Sequence, residues 1–145
     1  MSTFEQRTAT RAALAPGAAV GVTEPMIAAL VPAFYAKVRR DPALGPIFEA
    51  AIGEAWDEHL AKLCDFWSSV VLMTGRFKGA PMAAHVRLPM IGEAHFARWL
   101  ELWRETAREV CPPPAAALFI EKAEMIARSL QLGISASRGE LPRLD

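Results

Sequence analysis

Apolar side chains recur every three to four residues along most of this 145-residue chain, and that spacing favours amphipathic helices. The clearest example is VTEPMIAALVPAFYAKVRRDP, where Thr23 is a good N-cap, Pro25 suits a first turn and Asp41 precedes a closing proline. No stretch alternates apolar and polar residues with a period of two. The sequence therefore predicts an all-α fold, with helices at about 23–41, 54–74, 81–88, 93–110 and 115–132.

One domain is predicted between residues 22 and 133. Residues 1–21 show little periodicity and are expected to form a flexible or loosely docked arm, and residues 134–145 a frayed polar tail. Pro32 lies inside the first helix, where its missing N–H predicts a kink. The segment DPALGPIF is expected to be a tight corner closed by Phe48, and Gly133 is expected to end the last helix.

The charge composition argues against nucleic-acid and membrane partners. Sixteen basic residues balance sixteen acidic ones, so the formal net charge is zero and no basic face for phosphates is indicated. No apolar run is long enough for a membrane span, and the N-terminus lacks the pattern of a signal peptide. The two cysteines, Cys64 and Cys111, suit a reducing compartment, so a cytoplasmic location is expected.

The motifs of several enzyme and metal-site classes are missing from the sequence. It contains no glycine-rich phosphate loop, no GxSxG nucleophile elbow and no HExxH zinc motif. The cysteines form no CxxC pair, which argues against a structural zinc site, a thioredoxin-type motif and covalent haem attachment. No histidine has a glutamate three residues before it, as a di-iron site in a helical bundle requires.

His85 lies in the apolar stretch MAAHVRLPMI, between two prolines. Its local context fits two interpretations equally well: a partly exposed helical histidine, or an imidazole held rigidly as a ligand. A ligand imidazole needs its other ring N–H oriented by a partner, for which a backbone carbonyl one turn earlier is available. A single histidine cannot enclose a free metal ion, but it can be an axial ligand to iron in a macrocycle.

Four other side chains are candidates, and each also has an ordinary structural interpretation. His59 shares a predicted helix face with apolar residues three and four positions away, so it is either a boundary residue or one wall of a pocket. Tyr35 is the only tyrosine, and a buried phenol needs a polar partner. Trp99 offers an indole N–H that can only donate. His95 is expected to be a surface or capping residue at a helix start.

The order of four segments is more specific than any one residue. FYAKVRRDPALGPIF, WDEHLAKLCDFW, GAPMAAHVRLP and HFARWLELW follow one another from Phe34 to Trp103, with a weaker continuation to about Leu132. Together they resemble the third group of truncated haemoglobins. The resemblance implies a truncated globin fold, a shortened helical sandwich that encloses a non-covalent haem b. The paired-glycine signatures of the other truncated groups are missing, as this group's pattern expects.

The resemblance also implies roles for particular residues. His85 matches the proximal iron ligand, and Tyr35, His59 and Trp99 match the distal residues that face a bound gas. The residues expected to line or support the haem pocket are Phe34, Phe48, Leu63, Phe66, Trp67, Leu88 and Phe96. Lys62 and Arg87 are candidate contacts for the haem propionates, and Arg76 and Lys78 are equally good ones.

The resemblance implies a protein that binds O2, NO and CO reversibly. NO detoxification and peroxidase-like turnover stay open, with peroxide as a further ligand and with an electron donor or reductase as partner. A resting state in which His59 itself binds iron also stays open. The expected assembly is a monomer or weak homodimer. Two other interpretations are a haem-free globin-like sensor for apolar ligands and a plain helical scaffold with structural histidines.

Overall fold

The structure, a computed structural model, describes residues 15–77 and 92–137, with side chains described up to residue 133. All regular elements in these two ranges are helices, which confirms the all-α prediction. None of them is both long enough and apolar enough to cross a bilayer. The helices are α1 (Pro16–Ala19), α2 (Glu24–Arg40), α3 (Gly45–Ile52), α4 (Trp56–Leu72), α5 (Glu93–Val110) and α6 (Pro113–Ser137).

Helix α2 is the centre of the fold, because α3, α4 and α5 all pack against it. It begins as predicted, with the Thr23 hydroxyl accepting a hydrogen bond from the Met26 N–H at 3.3 Å. It continues through Pro32 and ends before Asp41. Its apolar stripe is fully buried and forms the core with large side chains of the other helices. The stripe consists of Ile27, Leu30, Val31, Phe34 and Val38.

The segment predicted as a tight corner contains a helix, α3. The Asp41 carboxylate accepts hydrogen bonds from the N–H groups of Ala43 and Leu44, both at 3.0 Å, and turns the chain. Gly45 then begins the helix where a Cβ would lie 2.7 Å from the Arg39 carbonyl oxygen. Pro46 in the first turn was the available signal for a helix start. This corner places Phe48 against the core.

A polar network around the buried Ser68 ties the start of α2 to the end of α4. Ser68, which is fully buried, donates to the Glu24 carboxylate at 2.6 Å and contacts the Thr74 hydroxyl at 2.8 Å. Glu24 also pairs with Arg76 at 3.1 Å. Residues 74–76, which follow α4, are therefore held against the end of α4 and the start of α2. Helix α4 ends at Leu72, with Met73 in the left-handed region, two residues before the predicted end at about residue 74.

Helices α5 and α6 form the most extensive helix pair in the fold. Helix α5 has the predicted bounds, and its Trp103 indole N–H donates to the Phe119 carbonyl of α6 at 3.0 Å. The prediction that Gly133 ends the last helix is wrong, since α6 continues to Ser137. A glycine weakens a helix interior but ends a helix only where the backbone turns left-handed. No proline follows it before Pro142.

The residues just before the predicted domain boundary at residue 22 include a short helix. Residues 15–21 contain α1, which packs against α4 and α6. Gly17 allows this approach, because a Cβ there would lie 2.6 Å from the Val71 carbonyl oxygen. Residues 1–14 of the predicted arm and residues 138–145 of the predicted tail lie outside the described residues.

Candidate ligand pocket

Tyr35 lies at the centre of an aromatic cluster between α2, α4 and α5. Burial raises the pKa of its phenol to about 12, although a hydrogen bond with the Trp99 side chain acts in the opposite direction. Because an indole nitrogen can only donate, Trp99 is the donor and the Tyr35 oxygen the acceptor. The Tyr35 hydrogen is therefore not used in this bond. The phenol is neutral throughout the physiological range.

Helix α4 contributes the second wall of this cluster through its first turn. The His59 ring meets the Tyr35 ring edge to face, with centroids 5.9 Å apart. Trp56 lies one turn earlier, 5.8 Å from His59 and 5.9 Å from Tyr35. His59 is only partly buried, so its imidazole lies at the boundary between the aromatic cluster and solvent. The structure thus brings Tyr35, His59 and Trp99, which come from three helices, into one group.

Trp99 of α5 packs against one ring of α2 and one ring of its own helix. Its ring meets Phe34 edge to face at 5.4 Å, and it lies almost parallel to Trp103 at 5.9 Å. Phe34 itself is fully buried between Tyr35 and Trp103. Aromatic pairs in these offset and edge-to-face geometries stabilise one another beyond simple burial. The direction of the Trp99 indole is therefore fixed by packing as well as by its hydrogen bond.

An ion pair fixes α5 to the end of α2 next to this cluster. The Arg98 guanidinium donates to the Asp41 carboxylate at 2.7 Å, and Arg98 directly precedes Trp99. The Asp41 side chain is only 2% exposed, and burial alone would raise its pKa. The hydrogen bonds from Arg98, Leu44 and Ala43 outweigh burial, so the pKa of this carboxyl lies below its usual value.

Large apolar side chains remain partly exposed on α4 and α5 beside the cluster. The two helices pack against α2 but make few contacts with each other. A helix face that is apolar and only partly covered indicates room for an apolar ligand. Phe48 of α3 lies 6.0 Å from Tyr35 at the edge of this region. The partly buried apolar residues are Leu60, Leu63, Phe66 and Val70 on α4 and Trp99 and Leu100 on α5.

Other predicted pocket residues lie in the core. Trp67 is buried and stacks on Trp103 at 4.6 Å. Phe96 belongs to a second small cluster with Ala127 and Leu130 of α6. Their place in a haem pocket stays a prediction. Since their contacts described above are with other core residues, we expect them to support the wall of such a pocket rather than to line it.

Two of the predicted propionate contacts, Lys62 and Arg76, are largely exposed and form ion pairs. Lys62 is mostly exposed, and its ammonium lies 3.8 Å from Glu58 on the same helix. Arg76 pairs with Glu24 at 3.1 Å. His85, Arg87, Leu88 and Lys78 lie outside the described residues. His95 does cap α5, since its Nδ1 accepts from the Gly92 N–H at 3.0 Å.

Sequence reasoning missed the residues that hold the pocket in place. Arg39 lies over the Trp56 ring at 4.6 Å and pairs with Glu49 at 2.7 Å. The pairing of Asp41 with Arg98 was missed as well. These contacts join residues that are far apart in the chain, so helical spacing contains no signal for them. Only the position of Asp41 before a proline indicated a structural role.

Comparison with known proteins gives consistent results. No protein-family model matches the chain. The group 3 truncated hemoglobin ctb of Campylobacter jejuni subsp. jejuni is 38% identical over 113 residues, which are 76% of this chain and 89% of that protein. The crystal structure of the group III truncated hemoglobin from Campylobacter jejuni superposes with a TM-score of 0.72 at 37% identity, again over 76% and 89% of the two chains.

The fold and the pocket define a globin-type, ligand-binding protein. The chain belongs to the group 3 truncated haemoglobins. This family implies a haem group, and the described residues fit one. A haem is a flat apolar plate, and the partly exposed apolar faces of α4 and α5 are the kind of walls that it needs. The neutral, buried Tyr35 beside them suits a small polar ligand.

Proposed function

We propose that the chain is a haem b protein that binds O2 and other diatomic ligands, NO and CO, reversibly. His85 is the proposed proximal ligand of the iron. Tyr35, His59 and Trp99 are the proposed distal residues, with Phe34, Phe48, Leu63 and Phe66 as walls of the pocket. The observation that carries the proposal is the grouping of His59 and Trp99 around the buried phenol of Tyr35.

The hydrogen bond between Trp99 and Tyr35 supports a defined role for the phenol. The Trp99 N–H donates to the Tyr35 oxygen, which leaves the Tyr35 O–H available to donate to a ligand. A hydroxyl that accepts one hydrogen bond becomes a better donor in the next, because chains of hydrogen bonds polarise one another. A phenol with a pKa of about 12 keeps its proton at any physiological pH. Tyr35 is therefore proposed as the main donor, with Trp99 acting partly through it.

Haem supplies an iron atom with an open coordination position and a partial negative charge on bound O2. The chain's own part is to enclose that position and to direct donors towards it. Two donors slow the release of O2, and slow release favours redox turnover over delivery. NO detoxification and peroxidase-like turnover with an electron donor are the redox reactions proposed for this site. We expect the protein to act in the cytoplasm as a monomer or weak homodimer.

The test is haem binding by the purified protein. We expect a strong Soret band after reconstitution with hemin and a shift of that band with CO. His85→Ala should lose most of the haem, and added imidazole should restore the band. His95→Ala is the matched control, since His95 caps α5 through Gly92. A wild-type protein that folds but takes up no haem would refute the proposal and would favour a haem-free module for apolar ligands.

A further inference from the structure

Three indole rings form a continuous row from the candidate pocket into the core. Trp99 and Trp103 lie one turn apart on α5, with ring centroids 5.9 Å apart and planes within 3° of parallel. Trp67 of α4 also stacks on Trp103, at 4.6 Å and 14°. We call Trp99, Trp103 and Trp67 the indole row. Its outer member is also the residue that is hydrogen-bonded to Tyr35.

The middle ring is the best place in the row for a positive charge. Trp103 is 0% exposed and lies parallel to both other indoles, so a charge on it spreads over the stack. Its N–H donates to the Phe119 carbonyl at 3.0 Å, which places a partial negative charge beside the ring. A carbonyl is too weak a base to take the proton. An oxidised Trp103 would therefore stay a radical cation rather than lose its proton at once.

We infer that the indole row is an electron relay that supplies electrons from the core to the haem pocket when the protein reacts with hydrogen peroxide. The inference rests on the proposed haem function. Electron transfer falls steeply with distance, and the indole rings of the row lie only 5.9 Å and 4.6 Å from one another, centroid to centroid. Among amino-acid side chains, indole and phenol rings give up an electron most readily.

The electron balance of this step is simple. Hydrogen peroxide takes two electrons and two protons and becomes two molecules of water. Both electrons would leave one indole of the row, in two successive one-electron steps through the pocket, so that a bound haem ends in its starting ferric state, and the two protons are those that the oxidised indole releases. Removal of two electrons from one indole, with addition of water and release of two protons, gives hydroxytryptophan. The product is one oxygen atom heavier than tryptophan, and its position in the chain can be mapped.

Direct attack by peroxide can be told apart from transfer through the row. Met125 is 55% exposed and Met73 is 38% exposed, so peroxide in solution reaches them first. Trp103 has no surface that peroxide can touch. Oxidation of Trp103 at stoichiometric peroxide therefore requires an electron path from the ring to the place where peroxide reacts.

The experiment treats the haem-loaded ferric protein with one equivalent of hydrogen peroxide. Peptide mass spectrometry then locates oxidised residues, and rapid-freeze electron paramagnetic resonance detects an indole radical. We expect oxidation at Trp103 or Trp67 and none at these residues in the haem-free protein. In Trp99→Phe, the amount of oxidised Trp103 and Trp67 per amount of haem band lost should be several-fold lower than in wild type. Met125→Leu, which removes an exposed oxidisable side chain of α6 outside the row and outside the pocket, should leave that amount unchanged.

Trp103→Phe provides a second variant and should protect Trp67. Its fold is checked by circular dichroism and by its CO complex, because Trp103 is fully buried. The relay is refuted if Trp99→Phe oxidises Trp103 as fully as wild type does, or if oxidation is confined to Met73 and Met125. It is also refuted if the haem band reacts while both core indoles stay intact. A protein that forms no haem complex overturns the proposed function first, and the relay with it.

Discussion

Arg98 donates to the buried Asp41 carboxylate at 2.7 Å, one residue before the tryptophan that is hydrogen-bonded to Tyr35. Asp41 also accepts from the N–H groups of Ala43 and Leu44, so one carboxylate fixes both the α2–α3 corner and the position of α5. The two helices that bear Tyr35 and Trp99 are thus joined by a charged contact close to the neutral hydrogen bond of the pocket.

Asp41→Asn should destabilise the protein by about 2 kcal/mol, because hydrogen bonds to a charged group contribute more than neutral ones. The Arg98 side chain is 38% exposed and can be rehydrated, which keeps the loss moderate. Urea denaturation followed by circular dichroism measures the change. Glu101→Gln is the matched control, since Glu101 also pairs with Arg98 but is 69% exposed. Equal effects of the two substitutions would contradict the structural role of Asp41.

The same pair predicts the response of stability to acid. The pKa of Asp41 is lower in the folded protein than in the unfolded chain, where a carboxyl of this type has a pKa of about 3.9. Its stabilisation is therefore complete above that value and is lost as the pH falls through the folded pKa. The difference in unfolding free energy between wild type and Asp41→Asn should be constant at neutral pH and shrink below about pH 4. A difference that persists undiminished at lower pH would contradict this.

Tyr35 can be titrated without interference, because it is the only tyrosine in the chain. We expect its phenolate absorbance to rise only near pH 12 in the folded protein, against about 10 for an exposed tyrosine. A raised pKa means that the folded state keeps its proton longer, so stability should fall as the pH rises above about 10. Trp99→Phe should raise the pKa further, since the indole bond lowers it. Titration near pH 10 before unfolding would show that Tyr35 is exposed.

Removing either distal donor should speed the release of O2 from the haem-loaded protein. One hydrogen bond contributes about 1 kcal/mol or somewhat more, so Tyr35→Phe should raise the dissociation rate about tenfold. Trp99→Phe should raise it too, and the double variant should show less than the sum, because the two act in one hydrogen-bond chain. Stopped-flow displacement by CO measures these rates. Fully additive effects would indicate that Trp99 acts independently of Tyr35.

Gly45→Ala tests the close approach at the α2–α3 corner. Alanine is better than glycine in a helix by about 1 kcal/mol, so propensity alone predicts a gain. Instead we expect a loss of about 1–3 kcal/mol, because the new Cβ would lie 2.7 Å from the Arg39 carbonyl oxygen. Thermal unfolding of Gly45→Ala and of the exposed control Ala51→Ser gives the comparison. A stabilised Gly45→Ala would mean that the carbonyl moves aside at little cost.

Helix positions were predictable where a period and an end signal agreed. The Thr23 cap and the proline after Asp41 correctly placed α2, and the α5 bounds were also correct. Gly133 misled because a glycine inside a helix weakens it but does not end it unless the backbone turns left-handed there. Helix α3 was missed because eight residues show too little periodicity, although Pro46 indicated a start.

The grouping of three candidate side chains was predictable, but the contacts that hold them were not, and their roles at a haem stay a prediction. Tyr35, His59 and Trp99 were named from their order in the chain, and the structure brings them together. Helical spacing cannot say that the Trp99 N–H is directed at Tyr35 rather than into open space. It also cannot pair Asp41 with Arg98 or Glu24 with Ser68, because those contacts depend on how helices distant in sequence cross one another.

The bond between Glu24 and Ser68 has a consequence for the way small molecules reach the pocket. It holds α2 and α4 together at one end, and a hydrogen bond from the fully buried Ser68 to a charged group contributes about 1.5–3 kcal/mol. At the other end, α4 begins with Trp56 and the partly exposed His59, close to solvent. We expect the two helices to separate first at this end, while the bond between Glu24 and Ser68 keeps their other ends together. Gas molecules would then enter and leave past the imidazole.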